Sequence, residues 1–104
     1  MHCESRDGRC YELAYRHILG MRGGTLVHAR VFSPKLGHII EHALVETETG
    51  FIYEPVVNRY FEKDFLYLTY KVKELARYTV MEAIHMALET GTYGPWDDKT
   101  NNNE

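Results

Sequence analysis

Apolar residues recur along this chain with two different periods, and each change of period marks an element boundary. Over residues 9 to 20, Leu13, Ala14, His17 and Ile18 fall on one stripe at spacings of one, three and four. That is the period of an amphipathic helix, and Gly20 with Gly23 and Gly24 stops it. Cys10 lies in its first turn. The next run, Thr25-Leu26-Val27-His28-Ala29-Arg30-Val31-Phe32, is rich in β-branched and aromatic side chains and is bounded by Gly24 and Ser33-Pro34, which predicts a strand. Pro34-Lys35-Leu36-Gly37 leads into a second strand over residues 38 to 47, and Glu48-Thr49-Gly50 turns it tightly into a third over residues 51 to 57. Two hairpins in succession predict a meander.

Residues 66 to 75 match neither period cleanly and are read as a further strand. The last element carries clearer punctuation. Thr79 is followed three residues later by Glu82, the signature of a capping box, and Val80, Ala83, Ile84, Ala87 and Leu88 form an apolar stripe that Gly91 ends. Beyond it, Gly91-Thr92-Tyr93-Gly94-Pro95-Trp96 reads as a turn that folds Trp96 back on the body of the domain. The expected fold class is α+β: an N-terminal helix carrying the cysteine, packed on a small antiparallel sheet, with a C-terminal helix.

At 104 residues the chain suits one domain, taken as residues 1 to 96, followed by a flexible polar tail over residues 97 to 104. A net charge of −3 lacks the electrostatic footprint of a nucleic-acid binder, although Lys71, Lys73 and Arg77 form a modest basic run. The first nine residues have no apolar core of a secretory signal, and no apolar run approaches spanning length. A cytoplasmic protein is expected, with neither membrane nor nucleic acid as a partner. Its two cysteines, Cys3 and Cys10, then read as free thiols or ligands rather than a bridge.

The candidate chemistry is a thiol, a base and an acid in chain order. A helix N-terminus offers unpaired N–H groups and the positive end of the dipole, both of which favour thiolate at Cys10, and Arg9 stands beside it. The same amides could hold an oxyanion. On the second strand, period two places Ile40, His42 and Leu44 on one face and Ile39, Glu41, Ala43 and Val45 on the other. Both faces are largely apolar, so His42 is expected to be enclosed. Glu54, soon after the turn, can be set against the His42 strand to orient the imidazole.

This order resembles the transglutaminase-like and papain-like cysteine enzymes, whose cysteine opens a helix packed on a sheet with the histidine and the acid on adjacent strands. His42-Ala43-Leu44-Val45-Glu46 and Phe51-Ile52-Tyr53-Glu54-Pro55 look like the histidine and acidic strands of that superfamily. The resemblance covers residues 9 to 57. It implies Cys10 as nucleophile, His42 as general base and then acid, and Glu54 as the orienting acid, acting in thiol-dependent acyl transfer or amide and isopeptide hydrolysis on a peptide or small acyl-bearing substrate, with no cofactor. Two departures stand out. The superfamily usually has aspartate where Glu54 stands, so the extra methylene requires a different strand register. Only nine residues precede Cys10, leaving little chain to supply an upstream oxyanion-hole side chain.

Each residue also has a plainer reading. Cys10 could be an inert core thiol, His42 a satisfied core histidine, and Glu54 the end of a strand before Pro55. A non-catalytic peptide- or ligand-binding adaptor domain on the same fold is therefore the alternative, and the chemistry of Cys10 discriminates the two. Metal binding competes less well. His38 and His42 are separated by roughly 13 Å on a strand, Cys3 and Cys10 are too far apart in sequence for a zinc pair, and no second cysteine pair exists, although Cys10 and His42 with a third ligand stay open. His17, His28 and His85 read as helix or strand residues without special chemistry.

Overall fold

The computed structural model describes residues 9 to 21 and 23 to 96. Cys3 and the polar tail expected over residues 97 to 104 lie outside the described residues. The chain folds as α1 (Arg9–Leu19), β1 (Thr25–Ser33), β2 (His38–Glu46), β3 (Phe51–Glu54), β4 (Arg59–Glu62), α2 (Lys63–Thr69), β5 (Lys73–Thr79) and α3 (Val80–Thr90). The five strands form one antiparallel sheet in the order β4-β3-β2-β1-β5. The fold is therefore α+β, with the cysteine-bearing helix at one end of the chain and α3 at the other. Among the described residues no helix is long and apolar enough to cross a membrane.

Successive side chains on a strand point to opposite faces, and here both faces are covered. Leu26, Val45 and Tyr53 join Cys10, Ala14 and Ile18 of α1 and Ala83 of α3 in one apolar cluster. Their neighbours Val27, Leu44 and Ile52 join Leu66 of α2 in a second. That double cover explains why residues 26 to 29 of β1 and 42 to 45 of β2 are buried continuously instead of alternating. Fully burying a side chain of this size contributes about 1.5–3 kcal/mol. In α1 the buried positions are Cys10, Tyr11, Ala14 and Ile18, so the stripe passes through the thiol itself, with Leu13 and His17 on its flanks.

The capping box of α3 forms as its spacing predicts. Glu82 N–H donates to Thr79 Oγ1 at 3.1 Å, and Thr79 N–H donates to Glu82 Oε1 at 2.9 Å. Gly91 ends the helix in the left-handed region at φ 74°, its N–H donating to the Ala87 carbonyl. The stripe needs one correction, because Leu88 is 80% exposed while Ala83 is buried. Trp96 does fold back: it is fully buried against Tyr15, His28 and Tyr78, and its indole N–H donates to the Thr92 carbonyl.

Two other expectations differ. The third strand stops at Glu54 rather than reaching residue 57, because residues 55 to 58 turn the chain into β4. Residues 66 to 75 do not make one strand: α2 runs through Thr69 and β5 begins at Lys73. Both periods were therefore present in one window. The helix is only seven residues long, no side chain caps its N-terminus, and the break falls at Lys71 with φ 51°, where a glycine would have signalled it. An ion-pair network secures this helix. Arg77 reaches Glu46 at 2.6 Å and Glu74 at 2.8 Å, and Tyr67 O–H donates to the same Glu74 carboxylate at 2.6 Å.

Candidate functional site

Cys10 is the second residue of α1, and that helix packs chiefly on β2, the strand that carries His42. Glu54 is the last residue of β3. Three elements distant in sequence thus bring a thiol, an imidazole and a carboxylate together. His42 Nε2 donates to Glu54 Oε2, and the imidazole also shares a hydrogen bond with the Cys10 side chain. All three residues are buried, with exposures of 1% for Cys10, 0% for His42 and 1% for Glu54. Cys10 is a free thiol.

Glu54 lies just past the β2–β3 ladder, which pairs Val45 with Tyr53 and Glu46 with Ile52, and is paired instead with Arg59 of β4. The extra methylene of glutamate lengthens its reach from there to the His42 imidazole. The alternation expected on β2, with Ile40, His42 and Leu44 on one face, does not hold: Ile40, Ala43 and Val45 join the cluster that contains Cys10, whereas Leu44 joins the other.

The other carboxylate oxygen is held from behind. Val57 N–H donates to Glu54 Oε1 at 3.2 Å, and Asn58 N–H donates to the Glu54 carbonyl at 2.8 Å, closing the turn. Asn58 sits in the left-handed region at φ 59°, a conformation asparagine tolerates better than most residues, and Tyr53 O–H donates to its side-chain oxygen. Tyr53 in turn stacks on His17 with ring centroids 3.5 Å apart, and His17 Nε2 hydrogen-bonds Tyr60 Oη at 2.8 Å. His17, which the sequence left without a task, thus braces the turn behind the acid, and its burial lowers its pKa. The signal that could have been read is Glu54-Pro55 followed by Asn58, a turn ending in a residue suited to positive φ.

The electrostatics follow from this packing. Burial by itself lowers the His42 pKa, since a charged imidazolium loses its water. Hydrogen bonds to Cys10 and to Glu54, together with the charges of both, more than offset that and push it up to about 9. The imidazole is thus held protonated at neutral pH, between the Cys10 sulfur and the Glu54 carboxylate, which both favour its charged form. Among the described residues no group of three or more histidine, cysteine or carboxylate side chains is arranged to hold a metal ion.

No protein-family model, curated protein or solved structure matches this chain.

Proposed function

We propose that this domain performs thiol-dependent acyl transfer or amide and isopeptide hydrolysis in the manner of a cysteine peptidase. The observation that supports the reading is the single imidazole joining the Cys10 side chain to the Glu54 carboxylate. In this scheme the proton of Cys10 already rests on His42, giving a thiolate–imidazolium pair, and the thiolate attacks the carbonyl carbon of a peptide or small acyl-bearing substrate. The tetrahedral intermediate collapses with cleavage of the carbon–nitrogen bond, and His42 returns the proton to the leaving amine. Water or a second amine then attacks the thioester, releasing the acyl group and restoring the thiol. Glu54 keeps the imidazole in one tautomer and stabilises its charge throughout. The chemistry needs no cofactor, and it suits a reducing cytoplasm that keeps the thiol free.

A second reading is favoured by a different observation, the burial of all three residues. A thiol enclosed in the core is what a non-catalytic peptide- or ligand-binding adaptor would have, with the histidine and glutamate serving as a buried polar pair. Iodoacetamide labelling of Cys10, followed by mass spectrometry from pH 5 to 9 on the folded chain and on His42→Ala, separates the two. An enzyme is expected to label at Cys10 well below pH 8, and the mutant profile is expected to move toward that of an ordinary thiol near pH 8.5. Cys10 that labels only after unfolding, with no dependence on His42, establishes the adaptor instead.

A further inference from the structure

Away from the triad, three strands and one loop enclose a cavity of about 350 Å³ lined by Arg30, Phe32, Ile39, Lys71 and Lys73. The sheet register explains why these residues meet. Phe32 pairs with Ile39 across β1 and β2, and Arg30 pairs with Lys73 across β1 and β5. Lys71 joins from the α2–β5 connection, its ammonium 5.5 Å from the centre of the Phe32 ring. Three cations therefore share one hollow on a chain whose net charge is −3. Glu41 stands at the outer limit of an ion pair with Arg30, at 4.0 Å. Among the described residues neither Lys71 nor Lys73 forms an ion pair.

Two further observations suggest that the hollow is built for a ligand. Lys71 holds a left-handed backbone, φ 51°, a conformation that is uncommon outside glycine. The chain around it is tied down, with Phe32 N–H donating to the Tyr70 carbonyl at 2.7 Å and Val72 N–H donating to the Tyr67 carbonyl at 3.0 Å. A lysine thus occupies a position where glycine would sit at less cost, and its charge is delivered into the hollow. Ile39, in addition, is 64% exposed beside these cations, leaving apolar surface that the domain itself does not cover.

We propose that this cavity binds a small phosphorylated molecule with an apolar or planar body, the class of an aryl phosphate. A phosphate monoester carries −1.5 to −2 charges at neutral pH, which calls for more than one cation. The Arg30 guanidinium supplies a fork of N–H donors and the two lysines supply point charges. The Phe32 ring and the Ile39 side chain accept the body of the ligand, burying the apolar surface left open. This site is independent of the Cys10 chemistry, and its failure leaves the proposed function untouched.

The test is a titration of the full chain by amide-resolved NMR with three probes: phenyl phosphate, inorganic phosphate and benzoate. Phenyl phosphate is expected to give saturable shifts confined to Arg30, Phe32, Ile39, Lys71, Lys73 and their neighbours, with about tenfold weaker binding for each of the other two probes. Lys71→Gly keeps the left-handed backbone while removing the charge, so it is expected to fold normally and to weaken phenyl phosphate about tenfold. Arg30→Gln is expected to do the same, and added salt to weaken binding further. Inorganic phosphate binding as well as phenyl phosphate, benzoate matching it, shifts spread over every surface lysine, or a folded Lys71→Gly that binds as wild type would each overturn the proposal.

Discussion

Glu54 holds the buried His42 imidazole from the close of β3, beyond the last β2–β3 pair, with its other carboxylate oxygen tied to the Val57 N–H. That relationship decides which acid fits. Aspartate is shorter by one methylene and, from the same backbone position, falls short of the imidazole. Glu54→Asp is therefore expected to behave like Glu54→Gln rather than as a conservative change. In both variants the His42 pKa should fall well below 9, as read from imidazole chemical shifts during a pH titration. Each should also lose about 3 kcal/mol of stability at neutral pH, because one member of a buried charged pair is removed. A Glu54→Asp protein that retains the raised pKa would show that the extra methylene of Glu54 is not what brings the carboxylate to the imidazole.

The same pair makes a signed prediction about pH. The folded pKa of His42 is raised from 6.5 to about 9, so its contribution to stability is complete below about pH 6.5 and is lost as pH rises through 9. At about 1.4 kcal/mol per unit, the loss across that window is on the order of 3 kcal/mol. Cys10, the other side chain that acts on His42, is best removed from the comparison. In Cys10→Ser, urea midpoints should still fall as pH rises above 6.5, over a narrower window, because one of the two bonds that raise the pKa is gone. Adding His42→Gln to that background should flatten the profile.

How much of this was legible in advance depends on where each signal lies. α1, the first hairpins and α3 carry strong periods or caps, and Thr79, Glu82 and Gly91 do in the structure what their spacing implies. α2 and β4 carry neither. β4 is four residues long with a mixed pattern, and α2 starts without a side-chain cap and ends at Lys71 in a glycine-like conformation. Cys10, His42 and Glu54 could be picked out by residue type and order, and the fold brings them together. The brace behind Glu54 could not, because its key donor is the backbone N–H of Val57, which no side chain announces. Burial of the thiol was equally hidden, since it depends on how α1 lies against the sheet in the cluster it shares with β1, β2 and α3.

Asn58 offers a test of that brace. Asn58→Gly keeps the left-handed turn and loses only the bond from Tyr53, whereas Asn58→Ala loses the bond and adds a strained backbone costing about 1–2 kcal/mol. The alanine variant should therefore be the less stable of the two in urea unfolding. If the turn positions Glu54, the His42 pKa should drop in Asn58→Ala and stay close to 9 in Asn58→Gly. A simple loss of stability without any change in that pKa would make Asn58 a turn residue and nothing more.

The segment after α3 gives the last prediction. Gly94 has φ 123°, and a Cβ built there would stand 2.8 Å from His28 Cε1 and 3.1 Å from Tyr11 Cδ1. Both contacts are with rings that cannot retreat: His28 is fully buried between Tyr11, Tyr78 and Trp96, and Tyr11 follows Cys10 in α1. Gly94→Ala combines this overlap with a backbone conformation that alanine resists, for a cost on the order of 2–3 kcal/mol. The strap should give way before the sheet does, because Tyr93 and Trp96 hold it by side-chain packing rather than by a strand ladder. Trp96 reports the outcome, since it is the single tryptophan and is buried in the native fold. Its emission should shift to the red in Gly94→Ala while the far-ultraviolet circular dichroism is preserved. Unchanged emission with unchanged stability would mean that the rings around His28 can move aside, contrary to the packing that places His28, Tyr78 and Trp96 within 5.1 Å of one another.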